Sequence, residues 1–257
     1  MSPVEYQFGD LCATITLNRP ESLNALSREV LAGLEAALDR AVADSARCIV
    51  VSGAGRAFAA GADLGEMAQM SPSEAREFGE RGSGLFRRLE TMPLPSIAAV
   101  GGFAIGGGCE LAMACDVRLA SEKASFALPE AGLGVTPGFG GTQRLPRLVG
   151  LGVAKEMLLT GQRIKAARAY EIGLVNAVFT DGELAGAAAS LAALIVRQSP
   201  VGVRAIKASL NEGPGRDLDS GLAAELGQFS ACFGTADQRE GMGAFLAKRQ
   251  PAPFTGQ

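Results

Sequence analysis

Two glutamates have the surroundings that acid–base chemistry asks for. Glu110 follows the triple glycine Gly106-Gly107-Gly108, and Glu130 stands between Pro129 and a second glycine-rich stretch. The chain has no histidine, so proton transfer near neutral pH falls to carboxylates, cysteines, tyrosines or lysines. A carboxylate pair beside glycine turns can move protons while free backbone N–H groups hold a developing oxyanion. Each glutamate also has a plainer reading. Glu110 could be a helix-start acid facing its own helix dipole, and Glu130 a surface turn residue. Spacing alone does not say whether the two meet.

Three segments must position this chemistry. Ala57–Met67 (AFAAGADLGEM) follows the strand-like run Cys48–Ser52 and reads as a turn whose backbone is open to a ligand, with the Ala62 N–H free to donate. Gly101–Cys115 (GGFAIGGGCELAMAC) places glycines ahead of a helix starting near Gly108, so that unpaired N–H groups point outward at a positive helix end. Ser125–Leu145 (SFALPEAGLGVTPGFGGTQRL) is a tight glycine-rich loop fixed by Pro129 ahead of Glu130.

Around them, strand and helix signals alternate over the first two-thirds of the chain, which predicts an α/β fold. Leu11–Leu17, Cys48–Ser52, Ile97–Val100 and Val117–Ala120 read as short strands. Ser27 is placed to cap a helix with Val30, Leu31, Leu34, Leu38, Ala41 and Val42 on one apolar stripe. Beyond Leu184 the sequence becomes alanine-rich and helical, with candidates at 184–198, 201–211, 218–233 and 236–248. The last opens on Thr235-Ala236-Asp237-Gln238, a capping box. A boundary is expected near 195, giving residues 1–195 as the core with the site and 196–257 as a C-terminal helical lobe. No internal repeat is visible.

With 257 residues, 47% of them hydrophobic, one sizeable core can form. The formal charge of −3 and the lack of a basic block argue against nucleic acid as a partner. The N-terminus lacks the pattern of a secretion signal, and no apolar run reaches membrane-spanning length. A cytoplasmic protein with no membrane contact is expected. The five cysteines are scattered without CxxC spacing, so buried thiols are expected and a metal site is not. Cys109, next to Glu110, is held as a reserve nucleophile. Neither glycine stretch matches a dinucleotide, P-loop or GxSxG signature.

Six segments, LNRPESLNALS (17–27), GAGRAFAAGADLGEM (53–67), GGFAIGGGCELAMACD (101–116), LPEAGLGVTPGFGGTQRLPRLVG (128–150), LLTGQRIKAARAYEIGLVNAV (158–178) and REGMGAFLAKR (239–249), resemble the enoyl-CoA hydratase/isomerase (crotonase) family. The resemblance runs in order along nearly the whole chain. It implies a spiral of repeated ββα turns with a C-terminal helical lobe that builds trimers or dimers of trimers. It implies an acyl-CoA substrate, no separate cofactor and hydration of a 2-trans-enoyl-CoA, with Δ3-Δ2 enoyl-CoA isomerisation as the alternative. By motif it maps the catalytic pair onto Glu110 and Glu130 and the oxyanion donors onto the N–H groups of Ala62 and Gly107. The CoA and acyl contacts fall on Ala25, Leu26, Ala60, Asp63, Leu64, Gly65 and Gly106. Met67, Met70, Phe86 and Phe139 are candidates for the acyl pocket, beside a polar stretch at 69–84 expected as helix or mobile loop. Where relatives often carry a basic residue this chain has Gly65, so Lys248 or Arg249 is expected to supply a phosphate contact.

Overall fold

The computed structural model describes residues 2–213 and 215–257. Among these residues ten strands follow in chain order: β1 (Val4–Gly9), β2 (Cys12–Leu17), β3 (Cys48–Gly53), β4 (Ala57–Ala59), β5 (Ser96–Val100), β6 (Phe103–Ile105), β7 (Val117–Ser121), β8 (Ser125–Ala127), β9 (Ile164–Lys165) and β10 (Ala177–Phe179). The helices are α1 (Arg28–Ala43), α2 (Leu64–Met67), α3 (Pro72–Thr91), α4 (Gly107–Ala114), α5 (Gly141–Val149), α6 (Leu151–Thr160), α7 (Ala166–Glu171), α8 (Leu184–Val196), α9 (Pro200–Glu212), α10 (Leu218–Ala231) and α11 (Ala236–Leu246).

The strands form two sheets. A six-stranded sheet runs β1-β2-β3-β5-β7-β10, parallel except for the β1–β2 hairpin, and a four-stranded sheet runs β4-β6-β8-β9. Successive pairs β3/β4, β5/β6 and β7/β8 each give one strand to the large sheet and the next to the small one, followed by a helix or 3-10 turn. These are the ββα turns of a spiral. They repeat in topology while the sequence shows no repeat, because three-residue strands such as β4, β6 and β8 are too short to carry a periodic pattern. For the same reason these three strands were not foreseen.

Side-chain patterning explains the packing. In β2 the inward residues Ala13, Ile15 and Leu17 alternate with half-buried ones, whereas β5 is buried throughout, as a strand covered on both faces requires. Helix α1 is capped by Ser27, whose side chain accepts the Val30 N–H, and buries Val30, Leu31, Leu34, Ala37, Leu38 and Ala41. Val42, expected on that stripe, is 54% exposed, and Ala37 takes its place. The polar stretch at 69–84 is a short turn up to Ser71 and from Pro72 on lies in α3, a 20-residue helix opened by a reciprocal capping box between Ser71 and Glu74.

The capping box expected at Thr235 is only half formed. Thr235 accepts the Gln238 N–H, but the Gln238 amide turns back to Gly234. Asp237, in the first turn of α11, is buried and accepts from Ser199 Oγ and from the Thr255 and Gly256 N–H groups, tying down the C-terminal tail.

Helix α8 covers the large sheet with Leu184, Ala188 and Ala192 and meets β3 and β5. The next helix, α9, is bolted to the core by a buried cation. Lys207 Nζ donates to Asp116 Oδ2 at 2.7 Å and to the Leu94 carbonyl at 2.8 Å. The same Asp116 oxygen accepts the Ser96 N–H at the start of β5. Removing the ammonium leaves the Leu94 carbonyl without this donor and the Asp116 carboxylate without its counter-ion. Lys207→Met is therefore expected to destabilise the fold by roughly 2–4 kcal/mol, read as a shift in the urea midpoint at unchanged slope. A loss well under 1 kcal/mol would show that α9 does not depend on this contact.

Candidate functional site

The parallel strands β4, β6 and β8 lie side by side, and all three end at one edge of the small sheet. The chain leaves β4 as Ala60-Gly61-Ala62, leaves β6 as Gly106-Gly107 and leaves β8 as Leu128-Pro129-Glu130. Topology therefore gathers residues from three distant stretches at one place. In open parallel sheets, loops beyond the carboxyl ends of strands are where ligands bind.

The first loop is pinned from outside. Leu26 donates its N–H to the Gly61 carbonyl and accepts the Asp63 N–H, forming a short parallel bridge with Ala62. Extended backbone points alternate groups to opposite sides, so the N–H of Ala62 faces away from Leu26. It has no acceptor among the described residues. Asn24, fully buried, holds the preceding turn by donating to the carbonyls of Ala54 and Ala57.

Gly107 opens α4, so its N–H has no helical partner, and none is found elsewhere among the described residues. The preceding Gly106 has φ 51° and ψ −124°, a conformation that L side chains rarely adopt, and a Cβ there would lie 2.9 Å from Glu130 Oε1 and 3.7 Å from the Gly61 Cα. The Ala62 and Gly107 turns are thus neighbours, with Glu130 against them. At Gly108 a side chain would run into the Ala59 carbonyl, so only glycine lets α4 sit directly on β4.

Glu110, in the first turn of α4, is 1% exposed. It does not merely face its own helix dipole. Its Oε1 accepts N–H groups from Phe139 at 2.8 Å and Gly141 at 2.7 Å, at the far end of the glycine-rich loop. Burial pushes its pKa up to about 7, with a smaller push from Glu130, against the two N–H donors and the Arg144 guanidinium. Glu130 opens a 3-10 turn, Glu130–Leu133, and is half-buried. Its pKa is raised by burial, and its Oε2 is buried with no partner among the described residues. A buried carboxyl oxygen without a partner is free to bind something else.

The remaining candidates divide. Ala25, Ala60 and Asp63 are half-buried around the Leu26–Ala62 bridge, while Leu64 and Gly65 are exposed at the start of α2. Gly65 carries no charge, but Arg19 stands at this loop, with Nη1 3.2 Å from Ser27 Oγ and 3.5 Å from Asp63 Oδ2. Met67 and Met70 are half-buried against the core. Phe86 is fully buried and belongs to the core, where its ring meets that of Phe139 edge-on at 5.4 Å. Phe139 is buried too, yet its ring stands against Gly107 and its N–H serves Glu110.

Lys248 is exposed beyond α11, and its side chain makes no hydrogen bond or ion pair to the 60–67 loop. Arg249, the other cation expected at a phosphate, is taken by Glu240 at 2.6 Å. Cys109 is wholly buried, and burial raises its thiol pKa far above neutrality, so it is no nucleophile. Three contributors escaped the sequence reading: the N–H groups of Phe139 and Gly141, and Arg144, which holds their loop. Backbone donors leave no side-chain signature.

Because folding raises the Glu110 pKa, its protonated form is favoured in the native state. This contribution is full below the unfolded pKa, near 4.5, and is lost as pH rises through about 7. A Glu110→Gln variant has no such loss, so its stability relative to the native chain is expected to rise between pH 4.5 and 7, by about 3 kcal/mol at most. Urea unfolding at pH 4.5, 6 and 8 reads this directly, and a difference independent of pH would refute the raised pKa.

Comparison with known proteins agrees with the geometry. Residues 8–257 match the sequence profile of the Enoyl-CoA hydratase/isomerase family. The chain is 49% identical over 244 residues to the short-chain-enoyl-CoA hydratase of Clostridium acetobutylicum, covering 94% of each chain. It is 48% identical over 240 residues to the crotonyl-CoA hydratase of Syntrophomonas wolfei, covering 93% of this chain and 92% of that one. The crystal structure of an enoyl-CoA hydratase from Bacillus anthracis superposes with a TM-score of 0.95 at 39% identity, covering 99% of this chain and 100% of the other. The chain belongs to the enoyl-CoA hydratase/isomerase family.

Proposed function

We propose that the protein is an enoyl-CoA hydratase, adding water across the 2-trans double bond of an enoyl-CoA thioester to give the 3-hydroxyacyl-CoA. The observation that carries this reading is the pair of carboxyls with pKa values raised by burial, Glu110 in the first turn of α4 and Glu130 just past β8, beside the turns that present the unpaired N–H groups of Ala62 and Gly107. In this reading the thioester carbonyl oxygen sits between those two N–H groups. Donors fixed in advance stabilise the enolate-like state without reorganising, by about 3–4 kcal/mol each in comparable enzymes.

The proton accounting is then simple. Water forms its bond to C3 and gives a proton to ionised Glu110, whose Oε1 is anchored while its other oxygen remains available. The π electrons move onto C2 and the thioester oxygen, and protonated Glu130 delivers a proton to C2. Glu110 ends protonated and Glu130 ionised, so one proton must pass back between them before the next turnover. Two carboxyls in opposite states give a bell-shaped pH profile whose limbs belong to the pair. Isomerisation of a Δ3 to a Δ2 double bond moves one proton between carbons and needs a single acid–base group. Two carboxyls at one site favour hydration.

The chain lengths in the names of the two bacterial relatives make crotonyl-CoA the first substrate to try. Glu130→Gln is expected to lower the hydration rate by about 100- to 10,000-fold, followed as loss of the conjugated thioester absorbance. A near-native rate would remove Glu130 from the mechanism.

A homo-oligomer, trimeric or a dimer of trimers, is part of the same proposal. Helices α9 and α10 frame an open groove of about 640 Å³ lined by Ile206, Leu210, Leu222, Leu226 and Phe229, several of them more than half exposed. Such a contiguous apolar face favours burial against a second copy. Leu226→Glu is expected to shift the elution volume in size-exclusion chromatography to that of a smaller species. An unchanged volume would place any assembly contact elsewhere. A cytoplasmic setting fits the five free thiols, and the reaction needs no cofactor beyond the CoA carried by its substrate.

A further inference from the structure

Arg144 lies in the first turn of α5, one helical turn past the loop that grips Glu110. Its side chain is 11% exposed. One arm, Nη1, donates to the Phe139 carbonyl at 2.7 Å, and the other, Nη2, pairs with Glu90 Oε2 on α3 at 3.1 Å. The same Glu90 oxygen accepts from Arg87 at 2.9 Å, and the Glu90 carbonyl accepts from Asn211 on α9 at 2.8 Å. Phe139 is therefore held on both sides: its carbonyl by Arg144 and its N–H by Glu110. The Arg144 Nε is buried with no partner among the described residues, so this cation stands in a poorly screened place.

We propose that Arg144 is a positioning residue for Glu110, and that Glu90, as its counter-ion, limits how much of the guanidinium charge the Glu110 carboxylate feels. The grip on the Phe139 carbonyl fixes the peptide planes that aim two N–H groups at Glu110 Oε1. The charge acts separately, favouring the ionised carboxylate against desolvation. Other groups facing Glu110 are few. Glu130 comes from the third loop and Cys109 from α4 itself, while β4 and β6, packed beneath α4, carry no titratable side chain. From α3 the relevant acid is Glu90, reached through Arg144.

The inference rests on the reading of Glu110 as the base, and its test keeps the two apart. The acid limb of kcat for crotonyl-CoA hydration is measured in four variants, with folding checked by circular dichroism. In Arg144→Gln the limb is expected to move up by roughly 0.5–1 pH unit, with kcat at pH 7 down about tenfold, partial recovery at pH 9 and KM nearly unchanged. In Glu90→Gln, where the cation loses its counter-ion, the limb is expected to move down. Arg144→Lys keeps the charge without the fork, so the limb stays near its native position while the plateau falls.

Opposite shifts in Arg144→Gln and Glu90→Gln support the proposal. Equal losses at every pH with the limb in place would overturn it and leave Arg144 a structural residue. If Arg144→Gln does not fold, an unmoved limb in Glu90→Gln overturns it as well. Glu110→Gln runs in parallel: survival of the native acid limb in that variant would overturn the assignment of Glu110 as the base, whatever Arg144 does.

Discussion

A buried carboxyl group that can still ionise is the constraint on which the rest of this molecule depends. Glu110 sits in a helix whose every residue is buried, with Leu111, Ala112 and Met113 on its C-terminal side. In such surroundings an unassisted carboxylate would be neutral well beyond physiological pH. Two backbone N–H groups on one oxygen bring it back into range and leave the second oxygen uncommitted. They must come from outside α4, because the N–H groups of a helix's first turn point along its axis and away from a side chain on its flank. The long loop from 130 to 141 supplies them, which gives a physical reason for a glycine-rich excursion at this point in the chain.

That requirement propagates outward. Donors on a loop are useful only if the loop is rigid, and it is fastened at both ends. At its start, Val135 donates its N–H to the Glu130 carbonyl, closing the 3-10 turn. At its end, Arg144 clamps Phe139, whose ring is wedged edge-on between Phe78 and Phe86 at 5.3 and 5.4 Å. Both rings belong to α3, so that helix supports the site through aromatic packing and through Glu90 together. Helix α9 joins the same support by way of Asn211 and Lys207. The C-terminal helices are thus mechanically linked to the loop that holds Glu110.

Much of this was legible in the sequence, for identifiable reasons. Glu110 and Glu130 stood out because a carboxylate in an uncharged, glycine-flanked stretch more often serves a partner or a reaction than solvent alone. Helix α1 was legible because its apolar residues repeat at helical spacing over four turns, although spacing could not decide between Ala37 and Val42 at the edge of the stripe. Strands β4, β6 and β8 were not legible: Ala57–Ala59 and its two counterparts are three residues each, and their existence depends on pairing with one another. Lys207 and Arg144 carried no signal in the sequence, since burial of a charge is decided by partners distant in sequence, here Asp116, Glu90 and a set of carbonyls. The family resemblance pointed to Ala62 and Gly107, whose N–H groups are unpaired among the described residues, and to Lys248 and Arg249, of which the first is exposed and the second is paired with Glu240.

The missing histidine can be understood in these terms. A site that moves protons near pH 7 needs a group that is part-ionised there, and histidine has that property unaided. This chain makes one from a glutamate instead, by choosing how much water to exclude and how many donors to return. The result is adjustable in a way imidazole is not, because each contribution lies on a different element: desolvation on α4, N–H donors on the 139–141 loop, charge on α5, and its counter-ion on α3. It also explains why one carboxyl is not enough. Ionised Glu130 raises the Glu110 pKa, so the two carboxyls resist being ionised together. That repulsion keeps one proton within the pair, where it can pass from one acid to the other between turnovers.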